Sequence, residues 1–94
     1  TDHAVWLPLV VEAYVMETGN VAFVDEIIES KCDAKTIFER IDAAIESLLR
    51  NLDSRHLSLI AQGDWCDPMN MVGHKGRGIS GWLSMATIYA IRRW

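Results

Sequence analysis

Apolar residues recur at helical spacing in the first third of the chain. In residues 5–17 they are three and four positions apart, which predicts an amphipathic helix with one apolar stripe. The members of this stripe are Trp6, Leu9, Val10, Ala13 and Met16. Gly19 should end the helix, because glycine readily adopts the left-handed conformation found at helix C-termini. Asn20 is then predicted to cap a second, short helix over Val21–Ser30.

The most regular pattern follows Asp33, which we expect to cap a long helix running to about Asn51. Its apolar face opposes an acidic one, as in a helix lying on a core. The apolar positions are Ile37, Ile41, Ala44, Ile45, Leu48 and Leu49. A last helix is predicted from about Ser80 to Arg93, with Trp82, Leu83, Ala86, Tyr89, Ala90 and Trp94 as its core side.

Between these two helices, from Asn51 to Gly78, the helical periodicity is lost. Residues 63–78 contain four of the six glycines and one of the two prolines, a composition typical of a loop. Long loops inside compact domains are usually functional or disordered, and Trp65 favours an ordered, functional one. Residues 57–60 could form a short extended piece that leads into it. The predicted fold class is therefore all-α, with about four helices, a long loop and no credible strand.

Composition suggests that these helices have further partners. The chain has 94 residues, half of them hydrophobic, with four tryptophans. It begins at Thr1 and enters an apolar run at once. We expect a single unit over residues 1–94 that is part of a larger domain; a complete small helical domain is the alternative.

Several classes of function are disfavoured. A net charge of −4 argues against nucleic-acid binding, which selects clustered Lys and Arg. The longest apolar stretch, residues 4–16, is too short to span a membrane. The two cysteines, Cys32 and Cys66, predict free, buried thiols in a reducing compartment rather than disulfides. Their spacing from the histidines predicts no metal site.

The candidate chemistry lies in the loop, where Asp64 and Asp67 flank Trp65. An indole offers a flat apolar face to a sugar ring, and carboxylates bind hydroxyls or donate a proton to a glycosidic oxygen. Burial and a neighbouring like charge both raise a carboxyl pKa, which would keep one carboxyl protonated. The alternative interpretation is ordinary: hydrogen-bonding turn residues beside a core aromatic. The nearby run from Gly73 to Gly78 lacks P-loop spacing and is predicted to be a solvated, flexible turn.

Four segments together resemble glycoside hydrolase family 94, which holds cellobiose and chitobiose phosphorylases and the phosphorylase-like domain of cyclic glucan synthases. The longest runs from Leu59 to Gly73 and includes Gly-Asp-Trp-Cys-Asp-Pro-Met-Asn-Met-Val-Gly. It is followed by Gly-Arg-Gly-Ile-Ser-Gly-Trp-Leu at residues 76–83. Residues 2–8 resemble the family's Asp-Asp-x-Leu-Trp-Leu-Pro, and residues 17–20 its Glu-Thr-Gly-Asp.

The resemblance implies an (α/α)6 barrel, of which this chain would supply roughly a quarter to a third. It implies that Asp67 is the general acid and that Trp65 and Asp2 contact sugar. Asp64 would support the loop or bind a sugar hydroxyl. Inorganic phosphate would be the co-substrate, with no cofactor, and an oligosaccharide the other partner. Phosphate would attack the anomeric carbon and invert it, so no second carboxylate base is needed.

Three positions depart from the family's pattern: Cys66, Pro68 and Ile79 stand where asparagine, glycine and glutamate are usual. Two alternatives keep the barrel, namely an inverting hydrolase and a chain-length-controlling domain of a glucan synthase. A third alternative is a non-catalytic helical interaction module. A cytoplasmic location is expected, with a homodimer as one expected assembly of the whole protein.

Overall fold

The computed structural model describes residues 2–62 and 71–94. Within these residues the chain is mainly helical. In chain order the elements are α1 (His3–Thr18), a 3-10 turn (Val21–Asp25), β1 (Ile27–Glu29), β2 (Ala34–Thr36), α2 (Ile37–Arg50) and α3 (Gly81–Arg93). The prediction of a mainly helical chain is confirmed, but the prediction that no strand would form is wrong.

Helix α1 ends where the sequence predicts, and buries a different face. Gly19 has φ +69°, and its N–H donates to the Val15 carbonyl at 2.8 Å. The residues that are buried are Val5 and Pro8, whereas Val10 is 64% and Met16 72% exposed. Apolar side chains surround most of this helix, so its spacing alone does not select the buried side.

The predicted short helix over Val21–Ser30 is replaced by the 3-10 turn and an antiparallel hairpin. In the hairpin Ile28 of β1 is paired with Lys35 of β2. The connecting turn is held by Ser30, whose hydroxyl donates to the Asp33 carboxylate at 2.9 Å. Arg40 of α2 donates to the same carboxylate at 2.9 Å and to the Ile28 carbonyl at 2.6 Å. Asp33 therefore stabilises the turn. The prediction that it caps the long helix is wrong.

The cap of α2 is Thr36. Its hydroxyl accepts from the Glu39 N–H at 3.1 Å, while the Glu39 carboxylate accepts from the Thr36 N–H at 2.8 Å. This is a complete capping box, which satisfies two helix-end donors at once. Its position after β2 shortens the predicted helix by one turn. The helix ends at Arg50, within one residue of the predicted end, and Asn51 is its C-cap.

The three helices share one core. Its fully or nearly buried members are Val5, Ile37, Ile41, Ile45, Leu48, Leu83 and Ala90. The predicted apolar face of α2 is largely confirmed, although Leu49 is 49% exposed. In α3, Leu83 and Ala90 are buried as predicted, whereas Tyr89 is 55% exposed.

Aromatic and ionic contacts show the relative directions of the three helices. Trp6 and Trp82, each in the first turn or so of its helix, have ring centroids 6.1 Å apart. Farther along, Arg93 pairs with Glu12, so α1 and α3 run in the same direction. Phe38 is at the start of α2, and its ring centroid lies 5.2 Å from that of Trp94, just beyond the end of α3. Helix α2 is therefore antiparallel to α3, and its C-terminus lies at the end where α1 and α3 begin.

Candidate functional site

Asp2 lies at this shared end of the helices, as the N-cap residue of α1. Its carbonyl accepts from the Val5 N–H at 3.0 Å, but its side chain makes no capping hydrogen bond. The residue is half-buried. Asp2 thus places a carboxyl group at the end where the long loop also begins and ends.

The loop has a base made of two short backbone segments, residues 58–61 and 78–80, which we call the stem. Two hydrogen bonds join its segments: the Ile60 N–H donates to the Gly78 carbonyl at 2.9 Å, and the Ser80 N–H to the Ser58 carbonyl at 2.8 Å. Between them, Leu59 and Ile79 form an antiparallel bridge. The expected extended piece at residues 57–60 is confirmed, and it brings the two ends of the loop together.

Two glycines allow the loop to pack closely on this stem. A Cβ on Gly73 would lie 2.0 Å from the Ala61 carbonyl oxygen, and one on Gly78 would lie 2.5 Å from the Val72 carbonyl oxygen. Neither position can accept a side chain without backbone movement. Gly73 is buried, while residues 74–77 are exposed. The predicted solvated turn over 73–78 is therefore correct for its tip and wrong for its packed ends.

Ala61 has a strained backbone at the start of the loop. Its φ is +51°, a left-handed conformation that alanine rarely adopts. Strained residues of this kind persist only where their surroundings hold them, and they concentrate at functional sites. The packing of the Ala61 carbonyl against Gly73 supplies such surroundings.

The stem is also attached to the helices on either side. The Leu59 N–H donates to the Asn51 carbonyl at 2.9 Å, and the Asn51 side-chain amide donates to the Leu59 carbonyl at 2.8 Å. On the other side, the Ser58 N–H donates to the Ser84 hydroxyl at 2.9 Å. No pattern in the sequence distinguishes Asn51 or Ser84, because serine and asparagine are common in loops and at helix ends.

A tight turn precedes the stem. The Asp53 carboxylate accepts from the N–H groups of Arg55 and Leu57 and from the Arg55 guanidinium, at 2.6 to 3.0 Å. The backbone hydrogen bond from Leu57, together with the Arg55 guanidinium, lowers the pKa of Asp53 below its ordinary value. The charged carboxylate thereby stabilises the turn that directly precedes Ser58.

Three of the four predicted site residues, Asp64, Trp65 and Asp67, lie outside the described residues, as does Cys66. Asp2 is the predicted site residue that the structure places. Among residues 2–62 and 71–94, no three His, Cys, Asp or Glu side chains are grouped so as to hold a metal ion. Cys32 is exposed, so the prediction of a buried thiol is wrong there. Across the same described ranges, every helix is too short or too polar to cross a membrane.

Comparison with known proteins gives a family match over the whole chain. The model described as "Glycosyl hydrolase 94 superfamily, catalytic domain" matches residues 1–94. The cellobionic acid phosphorylase of Neurospora crassa is 54% identical over 95 residues, a match that covers 100% of this chain and 12% of that protein. Two Paenibacillus borealis enzymes are more distant. The 3-O-beta-D-glucopyranosyl-beta-D-glucuronide phosphorylase is 33% identical over 98% of this chain, and the solabiose phosphorylase 35% identical over 97%.

These relatives are phosphorylases by name, and the chain spans 12% of the length of each. The similarity includes the ends of the chain as well as its centre, since the family model extends from the first residue to the last. Together with the 54% identity to one relative, this match shows that the chain belongs to the catalytic domain of the glycosyl hydrolase 94 superfamily.

Proposed function

We propose that this chain supplies the general acid and part of the sugar-binding site for inverting phosphorolysis of a β-linked di- or oligosaccharide. The observation that carries the proposal is the family match over residues 1–94, joined to 54% identity with a phosphorylase. The names of all three relatives favour phosphorolysis over hydrolysis or glucan chain-length control. The match to a catalytic domain disfavours a purely structural interaction module.

In the proposed reaction Asp67 donates its proton to the glycosidic oxygen as the bond from that oxygen to the anomeric carbon breaks. An oxygen of inorganic phosphate forms the new bond to the anomeric carbon from the opposite face. The products are a sugar 1-phosphate of inverted configuration and the released sugar, which has gained the proton. Phosphate is already a nucleophile, so a second carboxylate is not required.

The position of Asp2 supports a role beside this acid. Asp2 lies at the end of the helices where α2 terminates and α3 begins, and the loop that contains Asp64, Trp65 and Asp67 connects those same two helices. Within the described residues its carboxylate makes no capping hydrogen bond to α1, and we propose that it accepts from sugar hydroxyls. We assign Trp65 to stacking on the sugar ring, and Asp64 and Asp2 to hydroxyl contacts.

The substrate that we propose is a disaccharide acid of the cellobionic type. Its carboxylate would lie on the released sugar, and the relative with 54% identity is named for such an acid. The 3-O-beta-D-glucopyranosyl-beta-D-glucuronide phosphorylase is likewise named for an acidic disaccharide. Ile79, where the family pattern has glutamate, removes a negative charge from the stem that leads to the loop.

We also propose that residues 1–94 are part of an (α/α)6 barrel. Helices α1 and α3 are parallel and α2 is antiparallel to α3, which is the alternation that such a barrel requires. The curated relatives are several times longer than this chain, and large apolar side chains of α1 and α3 are exposed here. A homodimer and a cytoplasmic location stay predictions.

The deciding experiment incubates the whole protein with cellobionic acid, with and without inorganic phosphate. Phosphate-dependent release of a sugar 1-phosphate of α configuration is the expected result. Phosphate-independent release of glucose, formed first as the α anomer, would instead identify an inverting hydrolase. Elongation or trimming of glucan chains, with no action on the disaccharide, would identify the glucan-synthase alternative.

The role of Asp67 is tested by Asp67→Asn in the whole protein. The amide cannot donate the proton, so we expect kcat on cellobionic acid to fall by about 10²-fold or more, with unchanged thermal unfolding. Activity on β-glucosyl fluoride, whose leaving group needs little protonation, should be largely retained. Near-normal turnover of cellobionic acid by Asp67→Asn would show that another residue is the acid.

A further inference from the structure

We propose that Asn51 and Ser84 are positioning residues that hold the base of the loop and so set the location of the general acid. This inference rests on the proposed function, since the loop from Ala61 to Arg77 includes Asp67. Neither side chain is itself assigned to sugar or phosphate. Each acts through one backbone segment of the stem, residues 58–60.

Asn51 attaches that segment to the C-terminus of α2. Its carbonyl accepts from the Leu59 N–H and its side-chain amide donates to the Leu59 carbonyl, at 2.9 and 2.8 Å. Both backbone groups of Leu59 are thus occupied by one residue. Asn51 is half-buried, so loss of the amide would leave the Leu59 carbonyl with one partner fewer in a partly dry setting.

Ser84 attaches the same segment to the first turn of α3. Its hydroxyl accepts from the Ser58 N–H at 2.9 Å and donates to the Ser80 carbonyl at 2.8 Å. Ser80 in turn caps α3, because its hydroxyl accepts from the Leu83 N–H at 2.9 Å. Ser58 is 1% exposed, so water cannot replace the Ser84 hydroxyl without rearrangement.

The hydrogen bonds from Asn51 and Ser84 affect the position of the loop because the stem is closely packed and residues 58–60 cannot move independently of it. The loop packs on it through Gly73 and Gly78 with no space for even a Cβ. A displacement of residues 58–60 is therefore passed on to the loop backbone. General-acid catalysis requires the donor within hydrogen-bond reach of the glycosidic oxygen, and a misplacement of about 1 Å can cost about 10²-fold in rate.

The test compares Ser84→Ala and Asn51→Ala with Thr87→Val in the whole protein. Thr87 lies one turn beyond Ser84 on α3 and is 4% exposed, and its hydroxyl has no hydrogen-bond partner among the described residues. Thr87→Val therefore removes a buried hydroxyl without touching the stem. Ile45→Val, in the core, is a second control that lowers stability at a distance from the loop.

We expect each of Ser84→Ala and Asn51→Ala to lower kcat on cellobionic acid about tenfold or more, with KM for phosphate within about twofold. Turnover of β-glucosyl fluoride should be largely spared, and Ser84→Thr, which keeps the hydroxyl, should restore activity. Both controls should leave kcat unchanged. Equal losses on the two substrates, or in Ile45→Val at matched stability, would overturn the assignment in favour of a general structural role.

Amide hydrogen exchange gives a measurement that does not need activity. Exchange in peptides covering residues 56–62 should become faster in Ser84→Ala and stay unchanged in Thr87→Val. Unchanged exchange in Ser84→Ala would overturn the attachment itself. If the wild-type protein fails to release a sugar 1-phosphate while the exchange result holds, the proposed function is wrong and the attachment of the stem stands.

Discussion

At the scale of single residues, the packing of the loop on the stem requires that residue 73 has no side chain. The Ala61 carbonyl occupies the space that a Cβ at position 73 would need, at 2.0 Å. Ala61 itself is held at φ +51° in this contact. A close backbone approach of this kind explains why the position is glycine, and it is invisible in composition or periodicity.

Gly73→Ala should therefore destabilise the protein. We expect the free energy of unfolding to fall by about 1–3 kcal/mol, because the clash is with backbone and the stem must open to relieve it. Urea unfolding of the whole protein measures the change. Gly81→Ala is the matched control, since a Cβ there meets nothing within 4 Å and residue 81 begins a helix. Equal stability of the two variants would contradict the described packing.

At the scale of elements, the boundary between the hairpin and α2 is determined by Thr36 rather than Asp33. Both residues are favourable helix caps by type. Asp33 is taken up by Ser30 and Arg40 in the hairpin turn, where those two partners lower its pKa. The side chain left to cap α2 is that of Thr36, with Glu39 completing the capping box. Competition for partners, not propensity, decided the outcome.

Thr36→Ala should cost about 1 kcal/mol of stability, because it removes the acceptor for the Glu39 N–H. The control is Ser47→Ala on the exposed side of the same helix, which should be neutral or slightly stabilising because alanine is the better helix former. Thermal or urea unfolding measures both. A Thr36→Ala variant as stable as Ser47→Ala would mean that α2 does not begin at this cap.

At the scale of the whole molecule, α1 and α3 each expose large apolar side chains. Met85 is 69% and Ile88 60% exposed on α3, and Val10 is 64% exposed on α1. Soluble proteins seldom expose large contiguous apolar patches without a use for them. The chain spans 12% of the length of its relatives, so the occupant that we propose is further helices of the same barrel.

Ile88→Asp in the whole protein tests this arrangement. If barrel helices cover α3, the buried carboxylate should lower the free energy of unfolding by about 2 kcal/mol or more. Ser47→Asp, on the polar face of α2, is the control and should change little. Calorimetric or urea unfolding compares them. Should the two variants be equally stable, the exposed face of α3 faces solvent in the whole protein too.

The part of the fold that was predictable from sequence is the part governed by local rules. In α2 the apolar spacing identified Ile37, Ile41, Ile45 and Leu48 as core, because polar residues occupy the opposite face. In α1 the same rule selected Trp6, Val10 and Met16 wrongly, since apolar residues lie on most sides of that helix. The hairpin was missed because its strands are three residues long and are held by Arg40 of the following helix, a contact that apolar spacing does not reveal.

For the site, the sequence by itself determined the family, through four short motifs in order, and the full-length family match confirms it. The roles of Asp2, Asp64, Trp65 and Asp67 stay proposals that derive from that resemblance. Only the tertiary structure decided that the two ends of the loop meet in a stem held by Asn51 and Ser84. The physical reason is range: motifs and caps depend on neighbours along the chain, whereas hydrogen bonds such as Ser58 to Ser84 join residues that only folding brings together.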